Sequence, residues 1–273
     1  MLPNYWGSLM HYMRVSLIIT TYNRPDALLL VLRSIEFQAL TPDEVIIADD
    51  GSGNDTKAAI HAFQKTSNLS IIHSWQKDSG FRAAKSRNKA IAKSTSDYII
   101  LIDGDMILHP EFIQDHINNA ETGCFIQGTR VLLTKDITKD VLRNMSTHFS
   151  FFSKGIQNRK NTIHSNFLSK LFSKKKNYLR GIKTCNMALF KKDCININGF
   201  NNDFEGWGKE DSEFIVRLLN NGINRKNLRF NALQFHLWHN ENTRASLKQN
   251  DTIFQNAVDK NSKWSTNGID RYL

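Results

Sequence analysis

The chain has 273 residues, 40% of them hydrophobic and 23% charged, with a formal net charge of +10. That length supports one large hydrophobic core, and the composition excludes a disordered or fibrous chain. No apolar run approaches the roughly 20 residues that cross a bilayer, and the three cysteines lack the paired spacing of a zinc site or a disulfide framework, which places the chain in a reducing, cytoplasmic compartment.

Residues 1–12 carry no charged segment followed by an apolar one, so they read as an extension outside the fold and not as a secretion signal. Residues 15–20, VSLIIT, form a β-branched apolar run that predicts a buried strand. The loop TYNRPD follows, with Pro25 and Asp26 as a helix start. The next helix places Leu28, Leu32, Ile35 and Ala39 on one face. DEVIIADDGSG reads as a second strand opening into a turn, NDTKAAIHAFQK as a helix and LSIIHSW as a third strand. FRAAKSRNKAIAKS is a helix with Ala84, Asn88 and Ile91 on one stripe, and DYIILID is a fourth strand. This alternation predicts an α/β fold: a mostly parallel central sheet flanked by helices. Ligands bind such sheets at the carboxyl ends of the strands, and Asp49, Asp50, Asp103 and Asp105 all fall at predicted strand ends.

The pattern changes beyond residue 120. FIQGTRVLL reads as one strand, whereas residues 140–180 are polar, basic and aromatic with no clear period. Between Val141 and Lys192 there are twelve Lys or Arg and no Asp or Glu. Such a block suits an anionic partner, and the plain alternative is a solvated face. KTCNMALFKKDCININGF reads as a strand, a turn and a new element. EGWGKEDSEFIVRLLNNG is a glycine-rich loop entering a helix that Gly222 stops, and NALQFHLWHN is a strand ending in two histidines.

Several of these residues can carry chemistry. Asp103-Gly104-Asp105 puts two carboxylates on a tight turn, where one hard divalent cation, Mg2+ or Mn2+, cancels their repulsion. Asp50 can accept hydrogen bonds from a base or ribose, or an Asp here can cap its own turn. Arg82, Lys85 and Arg87 near a helix start can hold a diphosphate, or they can form a solvated helix face. In GWGKED, Gly206 and Gly208 admit close backbone approach, and Trp207 offers a flat face for a sugar ring. Glu210 and Asp211 can orient an acceptor hydroxyl and take its proton. Alternation places His236 and His239 on opposite faces of a regular strand, so one would be a metal ligand and the other structural.

In order, VSLIITTYNRP, VIIADDGS, FRAAKSRNKAIA, DYIILIDGDM and NGFNNDFEGWGKEDSEFIVRLLNNG resemble a family 2 glycosyltransferase of the GT-A fold. The later half also resembles the acceptor module of β-1,4-galactosyltransferases and chondroitin-type polymerases, where GWG-x-ED precedes a metal-binding histidine. The resemblance covers about residues 14–115 and 184–240. It implies that Thr20, Tyr22 and Asp50 hold the uridine of a UDP-sugar and that Arg82 approaches the nucleotide. Arg24, Lys85 and Gly104 join these donor contacts. Asp103 and Asp105 become the DxD motif, with Asp105 on Mn2+ or Mg2+ and Asp103 on the ribose or the metal. Trp207 and Glu210 shape the sugar pocket, Asp211 is the general base, and His236 is the preferred third metal ligand with His239 its competitor. One catalytic domain, 14–273, is expected: a nucleotide-sugar half at 14–120, an acceptor half at 121–240 with a basic insertion at 141–183, and a C-terminal extension at 241–273.

The expected reaction is inverting, metal-dependent transfer from a UDP-sugar (galactose, N-acetylgalactosamine, N-acetylglucosamine or glucose) to a surface glycan such as lipopolysaccharide or capsule. Residues 154–183 offer an anionic membrane surface a docking segment, which would make the chain peripheral on the inner face of the membrane. A nucleotide-sugar pyrophosphorylase would show a glycine-rich basic signature near its first strand, and TTYNRPD supplies none. A nucleic-acid-binding module would use the basic block but would leave the acidic turns and GWGKED unexplained, so no nucleic-acid partner is expected.

Overall fold

In a computed structural model, the structure describes residues 13–240 and 245–273. The expected extension at residues 1–12 lies outside the described residues. The elements run β1 (Val15–Thr21), α1 (Pro25–Glu36), β2 (Glu44–Asp49), α2 (Asn54–Thr66), β3 (Ile71–Trp75), α3 (Ala83–Lys93), β4 (Tyr98–Asp103), β5 (Met106–Leu108), α4 (Phe112–Asn119) and β6 (Cys124–Gln127). They continue with β7 (Val131–Leu132), α5 (Lys135–Asn144), α6 (Asn166–Phe172), β8 (Lys174–Lys175), β9 (Asn186–Phe190), α7 (Lys191–Asn196), α8 (Glu210–Asn220), β10 (Asn224–Asn227), β11 (Gln234–His236) and α9 (Leu247–Asp259).

The main sheet has the order β3-β2-β1-β4-β9-β6-β10-β8. Its first four strands are parallel, as the alternating pattern predicts. β9 runs antiparallel between β4 and β6 and joins the two halves. The parallel strands are buried on both faces, which is why they read as continuous apolar runs. Leu17 and Ile19 enter the core on one side with Leu28, Leu32 and Phe112. Ile18 enters the other with Ala84, Ile91 and Phe214. That is the period-2 alternation of a strand. The chain leaves β1 toward β2 on one side and returns through β4 on the other, so the topological switch point lies between β1 and β4, where Thr20 pairs with Asp103.

Four readings of the sequence need correction. Ala39 lies beyond α1 and is exposed, because the helix ends at Glu36. FIQGTRVLL is not one strand: β6 belongs to the main sheet and β7 to a small sheet ordered β5-β11-β7. The kink falls at Gly128, where Asn186 packs so close that a Cβ would lie 2.3 Å from its Oδ1. The stretch 140–180, which shows no period in sequence, contains α6, β8 and a 3-10 turn, and β8 extends the sheet edge. NALQFHLWHN keeps only three residues in a strand, β11.

The C-terminal residues are integral to the core, where Ile269 is fully buried. Arg217 of α8 is fully buried. It donates to Glu213 through Nε and Nη2, both at 2.7 Å, and its Nη1 donates to the carbonyls of Ile197 and Gly199 at 2.6 and 2.7 Å. Breaking a buried pair from one side strands the other charge. Arg217→Met is therefore expected to cost about 3–5 kcal/mol in urea denaturation; a loss within experimental error would mean that Glu213 finds another partner.

Candidate active site

The carboxyl ends of β1, β2 and β4 form the floor of the site. Gly104 donates its amide to Thr20 O at 2.8 Å, which holds the Asp103–Asp105 turn against β1. Asp49 is the residue that caps its own turn, accepting from the amides of Gly51 and Ser52 and contacting His73 Nε2 at 2.8 Å. Asp50 instead faces the next loop, where Gln76 Nε2 and the Arg82 amide each donate to it at 2.6 Å. Burial raises the Asp50 carboxyl above the usual range despite those donors. Tyr22 is exposed and donates to Asp78 at 3.0 Å.

The wall comes from GWGKED. Gly206, Gly208 and Lys209 all have positive φ, at 72°, 111° and 75°. A Cβ at Gly206 would fall 2.3 Å from Ser246 Oγ, so glycine is required there for space as well as for backbone conformation. This bent loop delivers Glu210 and Asp211 on the first turn of α8 and leaves the Trp207 ring 41% exposed beside them.

Arg87 joins floor to wall. The guanidinium is 3.4 Å from Asp103, 3.4 Å from Glu210 and 3.4 Å from Asp211, and its Nε donates to Thr20 Oγ1 at 3.1 Å. Burial alone would lower its pKa, but the carboxylates of Asp211, Asp103 and Glu210 raise it overall. Burial, then Asp211, push the Glu210 carboxyl up to about 7, against the pull of Arg87. Burial, opposed by Arg87, also raises Asp103. Asp211 accepts from the Thr184 amide and hydroxyl, each at 2.9 Å.

Three of the cations expected on the donor side have these surroundings. Arg82 turns its guanidinium to Lys77 O, and Arg24 lies 3.3 Å from Asp105. The Lys85 side chain, on the first turn of α3, has no hydrogen-bond or ion-pair partner among the described residues. Arg87, considered above only as a possible diphosphate contact, is the cation at the centre. The signal was its place on the buried stripe between Ala84 and Ile91, where a charge needs a partner.

The expectation that His236 and His239 face opposite sides fails. Leu237 still donates to Asp105 O at 3.0 Å, but the Trp238 amide turns to Thr138 Oγ1 at 2.9 Å and ends the ladder. The chain then curls back, and both rings reach Asp105 Oδ2, His236 at 3.6 Å and His239 at 3.4 Å. Asp105, His236 and His239 thus present ligand atoms to one another within 4.8 Å, and Asp103 is not among them. Asp105 Oδ1 is buried without a hydrogen-bond partner among the described residues. A bare carboxylate oxygen beside two imidazoles fits a divalent metal. Burial would raise Asp105, yet His236, His239 and Arg24 outweigh it and hold the carboxyl below its usual range.

With this geometry in view, known proteins provide the family. The sequence model described as glycosyl transferase family 2 matches residues 16–195. The chain belongs to glycosyl transferase family 2. Residues 167–240 also match a model described as the N-terminal domain of galactosyltransferase. The hyaluronan synthase of Pasteurella multocida is 32% identical over 76% of this chain and 23% of its own length. The chondroitin synthase of Escherichia coli is 27% identical over 76% of this chain and 32% of its own. The chain therefore spans less than a third of the length of either relative. In structure, S. aureus TarS 1-349 in complex with UDP overlays with a TM-score of 0.62 at 15% identity, over 90% of this chain and 65% of that one. The mannosyltransferase PcManGT from Pyrobaculum calidifontis, in complex with GDP-Man and Mn2+, gives 0.59 at 15% identity, over 84% and 58%. These likenesses establish the GT-A fold.

Glu210 yields a sign-definite prediction. A carboxyl raised in the folded state holds its proton more tightly there than in the unfolded chain. Stability from this group is full below the ordinary glutamate pKa and is lost as pH rises through about 7. Metal-free Glu210→Gln is expected to flatten that fall and to be more stable than the parent at pH 8 in urea titrations. A parallel pH profile for the two proteins would show that Glu210 ionises freely.

Proposed function

We propose that this chain is an inverting, metal-dependent glycosyltransferase that moves a sugar from a UDP-sugar to a hydroxyl of a surface glycan such as lipopolysaccharide or capsule. The observation that carries the reading is the convergence of Asp103, Glu210 and Asp211 on Arg87, beside the Asp105–His236–His239 cluster at the switch point of the sheet. The structural neighbours in complex with UDP and with GDP-Man support a nucleotide-sugar donor. Galactose, N-acetylgalactosamine, N-acetylglucosamine and glucose all remain candidate donor sugars.

Thr20, Tyr22, Arg24, Asp50, Arg82, Lys85 and Gly104 form the nucleotide side in this reading, with Asp103 toward the ribose. Asp105, His236 and His239 would hold the metal. Two imidazoles beside one carboxylate favour Mn2+ over Mg2+, which prefers oxygen ligands. When bound, the metal supplies countercharge to the donor diphosphate.

Asp211 would take the proton of the acceptor hydroxyl as its oxygen attacks the anomeric carbon from the face opposite the diphosphate. A carboxylate has about four lone-pair sites. The Thr184 hydroxyl and Arg87 occupy Oδ1 of Asp211, and the Thr184 amide occupies one site on Oδ2. The remaining site on Oδ2 is where the acceptor hydroxyl would donate. Glu210, partly protonated near neutral pH, would orient a sugar hydroxyl, and Trp207 would stack on the ring.

Asp211→Asn is expected to lower kcat by roughly 10²–10⁴-fold with UDP affinity in Mn2+ kept. Asp105→Ala is expected to abolish metal-dependent UDP binding in calorimetry. Donor hydrolysis across the UDP-sugar panel, with and without EDTA, identifies the sugar. Near-normal turnover of the Asp211 variant would remove it as the base, and unchanged metal-dependent UDP binding by the Asp105 variant would move the metal elsewhere.

The basic segment supports a membrane-facing acceptor side. Phe152, Phe167 and Leu171 are 86%, 75% and 57% exposed within a stretch rich in lysine and free of acids. Apolar side chains with surrounding cations suit an anionic bilayer surface. The chain is expected to float with phosphatidylglycerol vesicles at low salt and to be released at high salt. Failure to float would leave this segment as a solvated acceptor loop.

A further inference from the structure

Next to the Thr184 clamp on Asp211 lies a cavity of about 240 Å³, below the roughly 300–1,000 Å³ of pockets for drug-sized ligands. It has room for one unit of a glycan, not for a chain. Its lining comes from the turn between β6 and β7, the approach to the 3-10 turn at Arg159–Thr162, and the segment entering β9. Thr129, Arg130, Asn158, Lys183, Cys185 and Asn186 contribute.

The charge of this cavity is one-sided. Arg130 and Lys183 both line it, and no Asp or Glu does. Neither cation lies within ion-pair distance of a carboxylate among the described residues. Among the described residues, Arg130 Nε is buried with no hydrogen-bond partner, and its Nη1 has the Cys185 sulfur, at 3.8 Å. Burial pushes the Cys185 thiol up to about 12, so it supplies no anion near neutral pH. Asn158 is already committed: it donates to Arg130 O at 2.8 Å and accepts from Leu132 N at 2.7 Å. The cations are therefore the charged groups left to meet a ligand. A guanidinium with a bare edge matches the geometry of a carboxylate or phosphate.

The cavity also adjoins the reacting centre. Lys183 and Cys185 flank Thr184, whose amide and hydroxyl fix Asp211. We infer that this cavity is an acceptor subsite for an anionic sugar, one bearing a carboxylate or a phosphate ester, with Arg130 and Lys183 binding the anionic group while a ring hydroxyl faces Asp211. This inference rests on the transferase reading and adds the class of acceptor.

The test measures binding of methyl β-glucuronide, glucose 6-phosphate and neutral methyl β-glucoside by ligand-detected NMR, with UDP and Mn2+ present. At least one anionic sugar is expected to bind roughly tenfold or more tightly than the neutral one. The two anionic arms show which source of charge is preferred. R130Q and K183Q are each expected to erase most of that preference while UDP affinity and the thermal midpoint stay unchanged, which separates loss of the subsite from loss of the fold. Equal binding of neutral and anionic sugars, no sugar binding at all, or a preference that survives both substitutions would overturn the subsite. If UDP binds normally in those cases, the transferase reading stands. Failure of UDP itself to bind with Mn2+ would refute the transferase reading at a separate, earlier step.

Discussion

Three carboxyl groups in one corner of a protein repel one another, and Arg87 is the buried cation that lets Asp103, Glu210 and Asp211 occupy that corner together. A guanidinium stays charged at any pH the fold survives, so it is a permanent countercharge. Its neighbour Asn88 locks the helix that carries it: Asn88 donates to Phe200 O at 2.7 Å and to Asn202 at 2.9 Å, and accepts from the Phe200 amide at 2.8 Å. The segment so clamped leads directly into GWGKED. One helix therefore registers the sheet-borne aspartates of β4 against the loop-borne acids of α8, and a shift of α3 would be felt on both sides.

The loop side depends on residues far along the chain. Three positive φ angles within four residues are costly for any sequence and more so at Lys209, which has a side chain. The surroundings must hold that conformation. Ser246 closes on Gly206, Leu247 comes within 3.0 Å of a Cβ placed at Gly208, and Asn250 donates to Glu205 O at 3.0 Å. The start of α9 thus braces the loop, which gives the C-terminal helix a part in shaping the site without supplying a reacting group.

How much of this the sequence reveals depends on how local each cause is. The parallel strands and their acidic ends are legible because burial on both faces writes an unbroken apolar run that stops where the sheet stops. GWGKED is legible because glycine and paired acids at a helix start have few other uses. The histidines are not. Their convergence depends on Thr138, about a hundred positions away, capturing the Trp238 amide and ending the strand after His236. The role of Arg87 is equally hidden. Its spacing places it on the buried stripe, but its partners lie 16, 123 and 124 positions along the chain. The split of FIQGTRVLL into two sheets turns on Asn186 pressing against Gly128, another distant contact.

These long-range contacts also divide the charge of the site. In the proposed reading the donor side would be a rim of carboxylates made tolerable by Arg87 and a metal, and a nucleotide diphosphate would add more negative charge there. An anionic acceptor approaching such a rim would be repelled unless its own side carried countercharge, because interactions between groups in a poorly solvated corner are weakly screened. In that reading Arg130 and Lys183 would sit on that side, beyond Thr184, with no carboxylate of the described residues within ion-pair distance of them. Asp211 stands at the boundary between the two fields, tied to Arg87 on one side and to Thr184 on the other. A hydroxyl delivered from the cationic cavity would meet the open lone pair of Asp211 while the anion of its sugar stayed away from the diphosphate. The segment Lys183–Cys185 would then serve as both the clamp on the base and the wall of the acceptor pocket, so that acceptor charge and base position are set by the same short stretch of chain.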